Sequence, residues 1–540
     1  MIKTSKAIML ECRERGLQHF FGIPGGGAPL ELIEAGRQWG VRFVNLSHES
    51  SAALAAAYYG RLKGSAGLAM TIRGVGAGNV VGGVTNAHFE RLPLVALCET
   101  APRAWVGRET VQQCAQEKLF EGVAKYQKVL EPETACRAIR EAFFQAADGR
   151  PGAAVLHLPS GLAELREDAE RPARACGSGA PWGEGICQLE EMVRGSRRPA
   201  ILAGADILRA GAREPLLRLA EALGAAVLVT MEARGVFPET HPRWAGVYMG
   251  ATSPHVIEAK VFGQADLLLV VGVDAMMTHV PWTDSLPTCE IAARAEYCSL
   301  SSPIVRVNGN LAAAMERLAA EPKPGFSPAE VQAMRGEVLR HFRRPAGARL
   351  AAQDVLEIGR ELLPPEGILV SETGAFVCML EHLWPVETPG TYYATSGGRS
   401  MGLMVPGILG AKLAAPERPM LGLGGDGSLL MRLGELEAFA RTGVAVPLLI
   451  VNDQALGTIK WRQQAAGLPS YGLDFHPLDF AALAQACGLR GVRVETPEEL
   501  RRELSEAMRA DRTTLIDVRV DRDAYFESFG PTVGAIGGGT

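Results

Sequence analysis

Short apolar runs bounded by glycine or proline recur along the whole chain. They alternate with segments whose apolar residues return every third or fourth position. Over residues 1–165 the runs are "HFFGIP", "VRFVNL", "AGLAMTI", "LPLVALCET" and "GAAVLHLP", and "SKAIMLECRERG" and "SAALAAAYYGRLKG" carry helical spacing. Unbroken apolar runs of about four to eight residues fit strands buried on both faces of a parallel sheet. The pattern repeats over 185–325, with "PAILAGAD", "AAVLVTME" and "ADLLLVVGVD" as strands and "EPLLRLAEALG" as a helix. It repeats again over 350–540, where "GILVSETG", "MLGLGGDG", "VPLLIVND" and "TTLIDVRV" are strands between helices such as "GELEAFARTG". The stretches "REDAERPARACGSGAPWGEG" and "AAEPKPGFSPAE" are rich in breakers and read as linkers. The pattern therefore predicts an α/β chain of three Rossmann-like parallel-sheet domains, 1–165, 185–325 and 350–540.

Composition narrows the function class. The chain has 540 residues, 47% hydrophobic and 21% charged, with a formal net charge of −5. That balance offers no basic stripe, so neither a nucleic acid nor a membrane surface is expected as a partner. Ten cysteines lie scattered without a CxxC pair, the usage of buried thiols in a reducing cytosol. The start, "MIKTSKAIMLECRERGLQHF", carries charges throughout and lacks the apolar core of a signal peptide, and no uncharged apolar run reaches the roughly 18 residues of a membrane span. A cytoplasmic location is expected.

One stretch carries specific chemistry. "GGDGSLLMRLGELEAFARTGVAVPLLIVND", residues 424–453, places Asp426 and Asp453 at the ends of two successive strands, 27 positions apart. One βαβ crossover brings such residues to neighbouring strand tips, the edge where open α/β sheets bind ligands. Gly425 and Gly427 allow a tight turn, and Ser428 is placed to cap the next helix, whose N-terminus would receive an anion. Two carboxylates beside an anion suit Mg²⁺, which takes one or two carboxylates plus phosphates and waters. The bland alternative is a solvated turn.

This stretch resembles the diphosphate-binding signature of thiamine-diphosphate enzymes. The resemblance implies that Asp426, Asp453 and the backbone carbonyl of Ala455 hold Mg²⁺. Asp453 departs from the family, which more often has Asn there, and adds a negative charge. In "VRFVNLSHESSAALAAAYYG", Glu49 matches the glutamate that gives the cofactor's aminopyrimidine ring its proton. "FFGIPGGGAP" matches the first glycine turn, with Gly26, and "TIRGVGAGNVVGG" the second, ending in Asn79. "SETGAF", with Glu372, resembles the other diphosphate-contacting loop. In "RSMGLMVPG", Met401 takes the place of the apolar residue that bends the cofactor, and the Arg399 carbonyl that of the 4′-amino acceptor.

The resemblance covers nearly the whole chain. It implies the branch that holds acetolactate synthase, benzoylformate decarboxylase, benzaldehyde lyase and the 2-hydroxyacyl-CoA lyases. The pocket departs from two of these. Gly26 and about Ile72 stand where benzoylformate decarboxylase has serine and histidine; His88 and Thr100 stand where acetolactate synthase has phenylalanine and glutamine. His88 is the candidate proton shuttle. Arg73 is a candidate anion receiver, with Arg91, His48 and Glu99 also in view. The expected activity is a lyase or carboligase acting on a 2-oxo acid or 2-hydroxyacyl compound. The alternatives are an acetolactate-synthase-like acyl transferase on pyruvate, a nucleotide-binding oxidoreductase, and a silent scaffold. "FGIPGGGAP" is a poor GxGxxG, which counts against the oxidoreductase. A homodimer or homotetramer is implied, since family active sites form between subunits. For the central domain three alternatives stand: FAD, an ADP-like nucleotide, or no ligand.

Overall fold

A computed structural model describes residues 2–105, 107–165, 182, 185–250, 253–278, 286–297, 302–320 and 322–524. Most of the expected linker after residue 165 and the chain beyond 524 lie outside the described residues.

Three six-stranded sheets organise these residues. A short antiparallel pair, β1 (Ile2–Lys3) and β8 (Glu164–Leu165), closes the first unit. Its main sheet holds β2 (His19–Gly22), β3 (Arg42–Asn45), β4 (Gly67–Thr71), β5 (Leu94–Thr100), β6 (Tyr126–Val129) and β7 (Ala153–Pro159), in the order β3-β2-β4-β5-β7-β6. The central sheet holds β9 (Pro199–Ala203), β10 (Ala226–Val229), β11 (Trp244–Val247), β12 (Leu267–Val271), β13 (Thr288–Ala292) and β14 (Val305–Asn308), in the order β11-β10-β9-β12-β13-β14. The third holds β15 (Ile368–Ser371), β16 (Tyr392–Tyr393), β17 (Met420–Gly425), β18 (Pro447–Asn452), β19 (Arg490–Val494) and β20 (Thr514–Arg519), in the order β16-β15-β17-β18-β20-β19.

Every pairing within the three large sheets is parallel, which explains the unbroken apolar runs. β4, β9, β10, β12 and β15 are buried along their full length, and β17 is buried to Gly424. The expected α/β architecture of three parallel sheets is present. Each sheet has a switch point from which successive strands are laid down in opposite directions, between β2 and β4, between β9 and β12, and between β15 and β17. Ligands of such sheets bind beyond the strand ends at these switch points.

The third unit packs against both others. The helix Glu49–Lys63 lies on the helix Met404–Ala414 so closely that a Cβ at Gly410 would strike the Ala55 carbonyl. Leu409, Ile408 and Met404 join the core of the first unit, while Phe376, Met379 and Trp384 join a core shared with Tyr248 and Phe342. A buried ion network ties the central unit to the third. The Arg234 guanidinium donates to Glu239 at 2.6 and 2.7 Å, to Glu381 at 3.1 Å and to the Trp384 carbonyl. The Tyr392 hydroxyl donates to the buried Glu381 carboxylate at 2.9 Å.

Not every cysteine follows the expectation of a buried thiol. Cys12, Cys98, Cys136 and Cys289 do, whereas Cys114 and Cys187 are exposed. No helix of the described residues is long and apolar enough to cross a membrane.

Candidate active site

β17 and β18 run side by side, with Gly425 level with Val451. The first residue beyond each strand, Asp426 after β17 and Asp453 after β18, carries a carboxylate. Asp426 is 4% exposed and Asp453 7%, so both sit out of bulk water. Asp426 accepts from the amide of Gly427 at 2.7 Å and from that of Gln454 at 2.8 Å. Asp453 accepts from the Ala455 amide at 3.1 Å. Burial pushes the Asp426 carboxyl up to about 6. Burial and then the neighbouring Asp426 charge push Asp453 up to about 7. Two buried acids within reach of each other's charge call for a cation between them.

The local backbone is shaped around this pair. Gln454 has φ 58, a left-handed conformation that turns the chain back after Asp453 and puts Ala455 on the cavity wall. A Cβ at Gly457 would strike Asp453 Oδ2, so glycine there lets the carboxylate keep its place. The helix after β17 is shorter than expected. It spans Asp426–Leu430, begins at Asp426 with Gly425 as its N-cap and has no side-chain cap. Ser428 therefore lies inside its first turn instead of capping it, and its Oγ faces the Thr373 carbonyl at 3.5 Å. Helical structure resumes at Leu436–Thr442 after a one-turn 3₁₀ segment.

A cavity of about 570 Å³ opens in front of the carboxylates. Arg399, Met401, Gly425, Asp426, Gly427, Ser428, Asp453 and Ala455, all expected at the site, line it together. Thr373 to Phe376 of the "SETGAF" stretch also line it, but their neighbour Glu372 does not. Glu372 turns inward, where its Oε2 accepts from the amides of Leu403 at 2.8 Å and Met404 at 3.1 Å. It thereby fastens the first turn of the Met404–Ala414 helix and the Met401 loop before it. Burial raises the Glu372 carboxyl to about 7.

The residues expected from the first unit gather elsewhere. Glu49 opens the helix Glu49–Lys63, is buried, and accepts from Asn79 Nδ2 at 3.0 Å. Gly26 lies in the turn after β2, and its neighbour Gly27 packs against the Glu99 carboxylate. Glu99 accepts from the Ala28 amide at 3.3 Å and from Ser160 Oγ at 2.9 Å, and Arg73 donates to Ser160 Oγ at 3.0 Å. His48 is the N-cap of the Glu49–Lys63 helix, its Nδ1 accepting from the Ser50 amide at 3.1 Å. His88 is half-buried beside Phe89, and burial followed by the Arg91 charge lowers its pKa. Arg91 is committed to Asp274 at 2.6 and 3.2 Å. Glu49, His88, Gly26 and Asn79 do not line the carboxylate cavity, and none of its lining residues comes from the first unit.

Several residues at the site were not singled out from the sequence. Met231 and Met249 bring the central unit to the cavity, and Cys378 and Arg462 complete it. Glu90 governs the loop that carries Arg399 and Met401. It is buried and accepts from Thr395 Oγ1 at 2.8 Å, the Ser396 amide at 2.8 Å, Ser396 Oγ at 2.9 Å and the Gly398 amide at 3.0 Å. The acid in "ERLP" was its only signal. A second cavity, about 1240 Å³, lies between the first and central units and is lined by Arg61, Asp148, Arg209, Arg294, Tyr297 and Asn310 among others.

Among the described residues no cluster of three or more His, Cys, Asp or Glu side chains could hold a metal alone. The Asp426 and Asp453 pair thus fits a divalent cation whose remaining ligands come from a phosphorylated cofactor and water. Comparison with known proteins agrees with such a cofactor. Residues 2–119 match the profile of the thiamine pyrophosphate enzyme N-terminal TPP binding domain, 186–315 its central domain and 372–518 its C-terminal TPP binding domain. A probable acetolactate synthase large subunit of Methanocaldococcus jannaschii is 26% identical, over 96% of this chain and 92% of its own. A putative thiamine pyrophosphate-containing protein of Bacillus subtilis, YdaP, is also 26% identical, with the same two coverages of 96% and 92%. The acetolactate synthase large subunit of Corynebacterium glutamicum is 26% identical over 96% of this chain and 87% of its own.

Proposed function

The chain belongs to the thiamine pyrophosphate enzyme family, and within it we propose a thiamine-diphosphate- and Mg²⁺-dependent lyase or carboligase acting on a 2-oxo acid or 2-hydroxyacyl compound. One observation carries the reading. Asp426 and Asp453 are buried together at neighbouring strand tips, where burial and mutual proximity penalise their charges, at the mouth of a cavity large enough for a cofactor and a small substrate. Asp426, Asp453 and the Ala455 carbonyl would hold Mg²⁺, and Met401 would press on the cofactor's bend. Thiamine diphosphate supplies the nucleophile and electron sink for making or breaking a carbon–carbon bond beside a carbonyl. Glu49 would hold a proton at the cofactor's pyrimidine nitrogen, with Asn79 fixing its carboxylate at 3.0 Å.

No residue of the first unit lines this cavity, which supports a second copy of the chain bringing Glu49 to the cofactor. We infer a homodimer or a dimer of dimers. Exposed Leu30 and Val75, which follow the two glycine turns, are apolar surface suited to such an interface. Light scattering of the active enzyme is expected to give an even number of subunits. An active monomer would overturn this arrangement. The distribution of thiols, with none of the described cysteines in a disulfide, supports a cytoplasmic enzyme.

The test of the reaction is a panel of 2-oxo acids and acyl-CoA thioesters with added thiamine diphosphate and Mg²⁺. Turnover of at least one member is expected to depend on both additions. No turnover, with the cofactor bound, would remove the lyase reading. The names of the relatives favour a second reading, acyl transfer between two pyruvates, and acetolactate formed from pyruvate alone would establish it. The absorption spectrum of the same preparation addresses the larger cavity. A flavin band there would favour FAD over an ADP-like nucleotide or an unliganded crevice.

A further inference from the structure

The carboxylate cavity is also lined by two arginines, Arg399 and Arg462. Among the described residues neither guanidinium makes an ion pair. The contact of Arg399 is with a thioether, Met231 Sδ, at 3.8 Å. This is unusual in its surroundings. Arg234 is matched by Glu239 and Glu381, Arg91 by Asp274, and Arg150 by Asp206. Glu381 is the carboxylate nearest in influence to Arg399, but it is already taken by Arg234 and Tyr392. The guanidinium of Arg399 is largely withdrawn from water, which lowers its pKa, and the Glu381 and Glu90 charges offset this only in part and from outside ion-pair distance. A desolvated cation at a ligand cavity calls for an anion from the ligand.

The backbone points the same way. Arg399 has φ 42, one of four described non-glycine residues in the left-handed region. Glycine would sit there without cost, so an arginine kept at a strained position next to Met401 implies use of its side chain. The strain is held by the four bonds that Glu90 receives from Thr395, Ser396 and Gly398 just before it. Arg462, which is exposed, projects from the helix Gly457–Ala465, one turn beyond Thr458, at the open side of the same wall. It is close enough to Arg399 for its charge to be felt there. Between them and the central unit the wall is apolar, with Met231, Met249, Phe376 and Ile459, which strengthens any charge pairing made there.

Arg399 is directed away from the diphosphate end. That end is marked by Asp426, Asp453 and Gly427, whereas Arg399 reaches toward Met231 at the carboxyl end of the central sheet. We propose that Arg399 and Arg462 together receive an oxyanionic group of the substrate remote from the reacting carbonyl. The favoured substrate is then a 2-oxo acid with a second acidic end, carboxylate, phosphonate or sulfonate, rather than its monoanionic counterpart. Paired guanidiniums match such oxyanions with charge-assisted bonds. The inference rests on the lyase reading above and names its substrate class.

The holoenzyme, loaded with thiamine diphosphate and Mg²⁺, is assayed with length-matched pairs. Examples are 2-oxopentanedioate against 2-oxopentanoate, and 3-phosphonopyruvate and 3-sulfopyruvate against 2-oxobutanoate. At least one member with the second acidic end is expected to exceed its monoanionic partner in kcat/KM by about 10- to 100-fold, mostly through KM. Which member wins identifies the oxyanion. Arg399→Gln and Arg462→Gln are expected to bring that ratio towards one. The same substitutions are expected to weaken binding of unreactive glutarate to the holoenzyme by a similar factor in calorimetry. A ratio near or below one in the unsubstituted enzyme, or one that survives both substitutions, overturns the inference and leaves the lyase reading intact. A rise in the Kd of thiamine diphosphate with equal losses on all substrates also overturns it, assigning the guanidiniums to the diphosphate. Arginine-dependent glutarate binding without turnover of any 2-oxo acid supports the anion site and removes the lyase reading instead.

Discussion

Glu49→Gln is expected to keep its affinity for thiamine diphosphate and to lose about 10²- to 10⁴-fold of its turnover rate, the usual loss for one positioned acid-base group. Glutamine fills the same space and still accepts from Asn79 Nδ2, the bond that fixes the native carboxylate at 3.0 Å. It cannot hold a proton for the pyrimidine nitrogen. The surrounding fold gives no reason for collapse, because Glu49 is the first residue of its helix and the cap is supplied by His48. The decisive readout is exchange of the C2 proton of the bound cofactor, followed by NMR without substrate. Slow exchange in the variant assigns the loss to activation and not to substrate handling. Exchange at the native rate would move the role to another residue. His48, adjacent in sequence, is a poor replacement, since its Nδ1 is engaged with Ser50.

The three sheets were legible because parallel strands buried on both faces write themselves as continuous apolar runs, as in "AGLAMTI" and "PAILAGAD". The cavity was legible where a single strand tip or turn builds it. Asp426, Gly427 and Asp453 follow closely on strands whose ends the sequence marks, and Met401 lies just before the helix Met404–Ala414. It was less legible where a side chain had two directions open to it. Glu372 leads a cavity-lining stretch but turns inward to hold the Leu403 and Met404 amides, a choice made by a helix about 30 residues on. Ser428 was expected as a cap because the helix was expected to start later than Asp426. Least legible were the contributions from distant segments. Met231 lines the cavity from the central unit, and Glu90 acts from the first unit only through the Thr395–Gly398 loop; no local spacing in "ERLP", "TMEARG" or "KWRQQ" announces these roles or that of Arg462.

Asp426→Ala is expected to abolish binding of thiamine diphosphate with Mg²⁺, the largest loss of any single substitution in the cavity. Asp426 offers both its oxygens at a buried strand tip, and a cation held there would bridge the protein to the diphosphate. Alanine also takes away the closer acceptor of the Gln454 amide, leaving it only Asn452 Oδ1 at 3.3 Å, so Asp426→Asn serves as a second variant that preserves shape. It too is expected to weaken cofactor binding strongly. Asp453→Asn is expected to differ in kind. An amide oxygen still serves Mg²⁺, so binding should survive. The substitution also relieves a folded-state cost. Asp453 is raised from 3.8 to about 7 by burial and by Asp426. The folded protein thus binds more protons than the unfolded chain between those pH values, and stability falls as pH rises through that window. At a pH above about 7 the cofactor-free Asp453→Asn protein should therefore unfold at a higher temperature than the native one, with the gap closing toward a pH of about 4. Calorimetry of cofactor binding and thermal unfolding of the cofactor-free forms measure both effects. Native affinity in Asp426→Ala would show that the cation site lies elsewhere. Lost affinity in Asp453→Asn would show that the second negative charge, and not merely an oxygen, is needed to hold the metal.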